Sequence, residues 1–180
     1  DVRLMQSRHR LGLPVDHSGN IDALEEPLRS ETEQAYLAAC REVGTLLLAE
    51  QKYREAWMYL RTAGEKAVAT AALLDAQVHE NNLEELIELA VHEGVAPEFG
   101  FGLVLEHYGT CNAITTFEGA LHQQPREDQQ DVATLLVKHL HGELMANVRA
   151  HVEQHENGSP PETTLQSLVE SREWLFANDN

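Results

Sequence analysis

Apolar residues recur along most of this chain at steps of three and four, which is the period of an α-helix. The stripe is clear from residue 36 onward, where it comprises Tyr36, Leu37, Cys40, Val43, Gly44, Leu47 and Leu48. No stretch shows the sustained alternation of apolar and polar residues that indicates a half-buried strand. The pattern therefore predicts an all-α fold.

Breaks at glycine, asparagine and proline divide this pattern into helices. Ser30 and Glu33 have the spacing of a capping box, which predicts the start of the first helix. Further helices are predicted over residues 53–62, 66–79, 83–92, 101–108, 110–122, 127–156 and 163–176. The resulting organisation is an irregular N-terminal arm over 1–30, helix pairs over 31–126, and a long helix with a C-terminal capping helix over 127–180.

An internal repeat connects two of these helices. Residues 51–65 match residues 81–95 at a spacing of 30, so that Trp57 aligns with Ile87 and Gly64 with Gly94. Helix pairs that recur every 20 to 50 residues are typical of solenoids, in which each pair covers the apolar face of its neighbour. We therefore expect Trp57 to lie between neighbouring helix pairs.

Two stretches have the residue spacings of a known helical repeat. In residues 37–70, Val43-Gly44 and Leu47 occupy the Leu-Gly and tyrosine positions of the first helix. The second helix has small, large and small residues at Ala56, Leu60 and Ala63. Small residues there let paired helices approach closely, while the large one fills the space between them.

Residues 111–125 carry the second match, with Ala113, Phe117, Ala120 and Pro125 at small, aromatic, small and proline positions. Over residues 31–126 the chain resembles the tetratricopeptide repeat family. It departs from that family where Cys40 replaces a tryptophan, and where the units are spaced by 30 and 27 residues instead of 34. The resemblance implies an α–α superhelix of antiparallel helix hairpins with irregular turns.

The same resemblance implies a non-catalytic protein–protein interaction module or scaffold. In the family, the first helices of the hairpins line a concave groove that holds an extended peptide or a partner helix. Carried onto this chain, the groove-facing positions are Arg41, Thr45, Leu48 and Ala49. Arg41 would bind a carboxylate or a backbone carbonyl, and Leu48 would make an apolar contact. Self-association into a homodimer is also compatible with the resemblance, and no cofactor is expected.

Charge narrows the choice of partner. The formal net charge is −17 and the pI about 4.8, whereas binding to nucleic acid or to an anionic membrane requires a basic surface. No apolar run approaches the ~20 residues of a membrane span. The sequence therefore predicts a basic or neutral peptide or protein as partner, and neither nucleic acid nor membrane.

The two cysteines bear on the compartment. Cys40 and Cys111 lie far apart in helical sequence, which does not indicate a disulfide framework. A reducing compartment, and hence a cytoplasmic location, is the expectation.

A metal-binding helical bundle with hydrolase-type or oxidoreductase activity is the alternative hypothesis. Pairs of potential ligands four residues apart would share a helix face. The candidates are His107, Cys111, His139, Glu143, His151 and His155. The His-x-x-x-His pair lacks the glutamate of metalloproteases, since position 152 is valine. Convergence of three such side chains within about 5 Å would favour this hypothesis. A third hypothesis is a scaffold within a longer chain whose chemistry lies elsewhere.

Overall fold

The computed structural model describes residues 2–15, 21–122 and 124–176. All regular structure in these ranges is helical and no strand occurs within them, which confirms the all-α prediction. The α-helices are α1 (Val2–Arg10), α2 (Leu28–Ala49), α3 (Tyr53–Thr62), α4 (Lys66–Leu74), α5 (Leu83–Ile87), α6 (Pro97–Thr116), α7 (Arg126–Glu156) and α8 (Leu165–Glu170). α5 and α6 each continue into one π-helical turn, Glu88–His92 and Phe117–Leu121. Short 3-10 turns form at Ile21–Ala23 and Glu173–Phe176.

Several boundaries agree with the sequence pattern. α3 has the predicted bounds, and α7 begins one residue before the predicted start and ends at Glu156. Gly109 separates the two predicted segments of α6 as a kink, with φ 78° and ψ 174°. α4 is shorter than predicted, since it ends at Leu74 instead of residue 79.

The prediction of an irregular N-terminal arm over residues 1–30 is wrong for residues 2–10; residues 1 and 16–20 lie outside the described residues. Val2–Arg10 forms α1, which packs against α2, and its side chain Leu4 is buried. Arg8 is buried as well and donates from Nε to the carbonyl of Pro14 at 2.7 Å. One of these contacts is with α2 and the other is local, and neither is apparent from the apolar period of the sequence.

The predicted start of the first long helix and the predicted C-terminal helix are also wrong. α2 begins at Leu28, directly after Pro27, so Ser30 and Glu33 lie inside the helix and form no capping box. Proline is favourable next to a helix start because its φ is already close to the helical value. The predicted C-terminal helix over 163–176 is instead α8 followed by a separate 3-10 turn.

The two matched stretches, residues 51–65 and 81–95, are buried at corresponding positions. Tyr53, Ala56, Trp57 and Leu60 are buried, and so are the residues thirty positions later, Leu83, Leu86, Ile87 and Ala90. Each copy ends at a glycine with positive φ, 72° at Gly64 and 69° at Gly94. The Trp57 Nε1 donates to Glu93 Oε2 at 2.9 Å, so this side chain lies between α3 and the turn that follows α5.

Two glycines lie at close contacts between helices. A β-carbon at Gly44 of α2 would stand 2.6 Å from Leu60 Cγ and 3.2 Å from the Ala56 carbonyl of α3. At Gly100 of α6 it would stand 2.5 Å from Ala90 Cβ. α2 therefore pairs with α3, and α6 is the main partner of α5, while α4 packs mainly against α3.

α7 joins two apolar clusters. Its first half packs against α6, where Val132 completes the main hydrophobic core that extends from Tyr53. Its second half packs against α8, where Val152 and Leu168 are fully buried. Thr110 of α6 donates to Glu143 of α7 at 2.7 Å between these regions.

A buried arginine fixes the C-terminal hairpin formed by α7 and α8. Arg172 donates to both oxygens of Glu156, at 2.7 and 3.0 Å, and to Glu162 at 3.0 Å. The hydrogen bonds from Arg172 hold the pKa values of both carboxyls below their usual value of about 4.5. Charge-assisted pairs of this kind are among the stronger hydrogen bonds in proteins.

Acid should therefore open this hairpin. Since the pKa of both glutamates is lower in the folded state, their contribution is complete above pH 4.5 and is lost as the pH falls through the lowered values. The indole NMR signal of Trp174 should report the loss, and the Arg172→Gln variant should lack the contribution already at pH 7. An identical acid titration of the Trp174 signal in both proteins would contradict this assignment.

Candidate functional site

An open groove lies between α4, residues 95–99 and the first turns of α7; we call it the α4 groove. Its volume is about 310 Å³. The elements are tied together beneath it, since Thr70 Oγ1 of α4 donates to the Val95 carbonyl at 2.6 Å. Pro97 begins α6 at this point and is buried, so the floor of the groove is fixed by the core.

Apolar surface is exposed along one wall of the α4 groove. Leu74 is 59% exposed at the end of α4, and Phe99 is half-buried opposite the helix. Ala67 and Ala71 extend this face along α4, where they border an adjoining hollow together with Thr70 and Leu74. An exposed leucine and two small residues on one helix face leave room for another helix to approach.

Carboxylates form the opposite rim. Glu98, Asp128 and Asp131 line the α4 groove, and Lys66 is the single cation among its described lining residues. Within the described part of the chain, none of the three carboxylates lies within ion-pair distance of a basic side chain. The groove thus combines apolar contact area with a net charge of −2, from three carboxylates and one lysine.

The family-derived positions lie on α2, away from the α4 groove lining. Arg41, Thr45 and Ala49 are exposed. The Arg41 guanidinium pairs with Glu65, and Thr45 Oγ1 donates to the Arg41 carbonyl at 2.8 Å. Leu48 is half-buried and packs against the main core, so the fold itself covers much of its apolar surface.

The potential metal ligands are distributed over separate places. His107 and Cys111 are exposed on either side of the kink at Gly109. His139 and Glu143 are brought together at 3.5 Å, but the other oxygen of Glu143 accepts from Thr110.

The remaining two histidines contact an aromatic ring. His155 stacks on Trp174 with ring centroids 3.9 Å apart, and His151 lies 5.4 Å from the same ring. Among the described residues, no three potential ligands are placed to hold a metal ion. The alternative hypothesis therefore lacks the convergence it requires in this part of the chain.

Sequence reasoning did not identify the α4 groove. A signal was present, because the sequence KAVATAALL of α4 is apolar around the whole helix. A helix of that kind is normally covered on all sides. Here only Ala69 and Leu73 are buried, which leaves the remaining apolar positions partly or fully open. Asp128 and Asp131 are distant in sequence and become neighbours of α4 only through the tertiary fold.

Within the described ranges, no helix is both long and apolar enough to cross a membrane.

Comparison with known proteins adds no assignment. The chain matches no protein-family model, and no curated protein or solved structure is significantly similar to it.

Proposed function

We propose that this protein is a non-catalytic interaction module that binds a protein or peptide partner in the α4 groove. The supporting observation is the exposed apolar face of α4, which borders the half-buried Phe99 and three carboxylates that form no ion pair among the described residues. Contiguous exposed apolar surface rimmed by polar residues marks interaction sites more often than it occurs on inert surfaces. Apolar contact would provide affinity, and the carboxylates would select the partner.

We further propose that α2 to α6 form tetratricopeptide-type hairpins of an irregular superhelix. The close contact of Gly44 with Ala56 and Leu60 supports this, because the repeat uses small residues for the same helix pair. The equal burial of α3 and α5 positions thirty residues apart supports it too. α2 and α4 would then be first helices, and Arg41, Thr45 and Ala49 would extend the partner surface beyond the α4 groove.

A cytoplasmic location belongs to the same proposal. Cys40 and Cys111 are both free thiols, the first buried and the second exposed. An exposed thiol persists most readily in a reducing compartment.

Site-specific photocrosslinking tests the proposed function. A photoreactive phenylalanine analogue at Ala71 should yield a discrete protein adduct in cells that produce the protein. Ala71 is exposed on α4, so the analogue should not disturb the core. A second analogue at Ala49 examines the α2 positions, and an adduct there would show that the partner surface extends to α2.

Ala150 provides the matched control, since it is an exposed alanine of a helix far along the chain from α4. The proposal predicts no such adduct at Ala150. Absence of an adduct at Ala71, or the same adducts at Ala71 and Ala150, would overturn it.

A further inference from the structure

We infer that the occupant of the α4 groove is a basic amphipathic helix of a partner protein. This inference rests on the proposed function and names the chemistry of the partner. The groove lining sums to a charge of −2, from Glu98, Asp128 and Asp131 against Lys66. Carboxylates on a rim favour cations on the opposing surface and disfavour anions, so they select partners by charge.

The position of the carboxylates favours recruitment of a cationic partner. Glu98 and Asp131 are exposed and Asp128 is half-buried, so all three carboxylates are accessible to a cationic partner. The chain as a whole carries −17, which attracts basic partners over a longer range and raises their association rate. The local carboxylates then determine where the partner docks.

The shape of the apolar face favours a helix as the docking element. Lys66, Thr70 and Leu74 are spaced four residues apart and therefore lie on one side of α4. The groove follows this side along the length of the helix. Ala67 and Ala71 beside them are short, which lets a second helix approach α4 closely. An amphipathic helix would cover Leu74 and Phe99 with its apolar face and place its cations against the acidic rim.

The protein already holds one helix of this chemistry. α1 contains Arg3, Arg8 and Arg10 and no acidic residue, and it packs on the acidic helix α2. Arg3 pairs with Glu42 at 2.9 Å, while Leu4 on the apolar side is buried. One apolar contact and one arginine–carboxylate pair therefore accompany the docking of this basic helix on α2, which is an example within the protein of the contact chemistry inferred for the α4 groove.

Fluorescence anisotropy with designed peptides tests the inference on the full chain. The probe is a labelled amphipathic helix of about 18 residues, roughly 27 Å long, built from leucine and lysine. Two comparison peptides have the same composition in scrambled order, or glutamate in place of lysine. The amphipathic basic peptide should bind in a saturable manner and the other two should not.

Matched variants locate the binding site. The double variant Asp128→Asn and Asp131→Asn should weaken binding about three- to tenfold at an ionic strength of about 0.1 M, and much less at about 1 M, where charges are screened. Leu74→Ser should weaken it about fivefold at both ionic strengths, because it removes apolar contact. The control is the double variant Glu84→Gln and Glu106→Gln, which removes two exposed carboxylates outside the groove lining. It changes the net charge by as much as the Asp128 and Asp131 double variant does, and it should alter binding less than about twofold.

Each other outcome overturns the inference. Equal loss in the groove and control variants would mean that the peptide responds only to net charge, and equal binding of the scrambled peptide would exclude docking as a helix. Dimers that dissociate on Leu74→Ser would assign the groove to a second copy of the chain. If the basic peptide fails while the Ala71 photoadduct persists, the partner chemistry is wrong and the proposed function stands; if both fail, neither stands.

Discussion

Replacing Trp57 with alanine should lower the free energy of unfolding by about 3–5 kcal/mol, the range for removal of a buried aromatic side chain. Trp57 is 9% exposed and belongs to the main core. Its Nε1 also donates to Glu93 Oε2, which accepts a further hydrogen bond from Arg61 at 3.0 Å. The variant thus loses packing in the main core and the hydrogen bond that links α3 to the turn after α5.

Urea denaturation followed by far-ultraviolet circular dichroism measures this effect. Trp57→Phe keeps much of the ring and should cost less than Trp57→Ala, with about 1 kcal/mol from the hydrogen bond alone. Met58→Ala is the control, because Met58 is the next residue of α3 and is 61% exposed. A loss below about 1 kcal/mol for Trp57→Ala would contradict the position assigned to this helix.

Gly44→Ala should destabilise the protein by about 1–3 kcal/mol, although alanine is normally the better helix residue. The added carbon would stand 2.6 Å from the branched Cγ of Leu60 and 3.2 Å from the Ala56 carbonyl. Leu60 is fully buried and has no open space to move into, so α2 and α3 would have to separate. The thermal midpoint should fall accordingly.

Gly142→Ala is the matched control in α7. A β-carbon there meets nothing within 4 Å, so the substitution should stabilise the protein by about 0.5–1 kcal/mol through helix propensity alone. Opposite signs for the two glycines would support a close contact between α2 and α3. A stabilising effect of Gly44→Ala would show that the two helices do not meet at this residue.

Local sequence determined much of the fold. The apolar period and the glycine and asparagine breaks located α3 and α5 with its following turn, because the core covers the apolar stripe of each. They located α7 as well, although Leu140 and Leu144 in the middle of its stripe are exposed. The thirty-residue repeat identified residues with equal burial for the same reason. α1 was not predicted because its residues show no sustained apolar period; Leu4 is its one buried apolar residue, and the helix packs against α2.

The candidate site could not be obtained in the same way. The α4 groove joins α4 to Phe99 and Asp131 across the tertiary fold, and sequence spacing carries no information about such encounters. The metal hypothesis shows the converse limit. Residues four apart share a helix face, and the structure does bring His139 to Glu143 and both His151 and His155 to Trp174. Among the described residues, however, these pairs do not meet one another to give three ligands at one point. Arg41 proved exposed, as a partner-binding residue must be, but pairs with Glu65.

The most direct test of the central claim is an NMR titration of the isotope-labelled full chain with the basic amphipathic peptide. The account predicts that amide shift changes concentrate in residues 66–74, 95–99 and 128–131, the three segments that line the α4 groove. The C-terminal hairpin around Arg172 should remain unchanged. Shift changes centred on residues 41–49, or spread evenly over acidic residues throughout the chain, would contradict the claim that the α4 groove is the partner site.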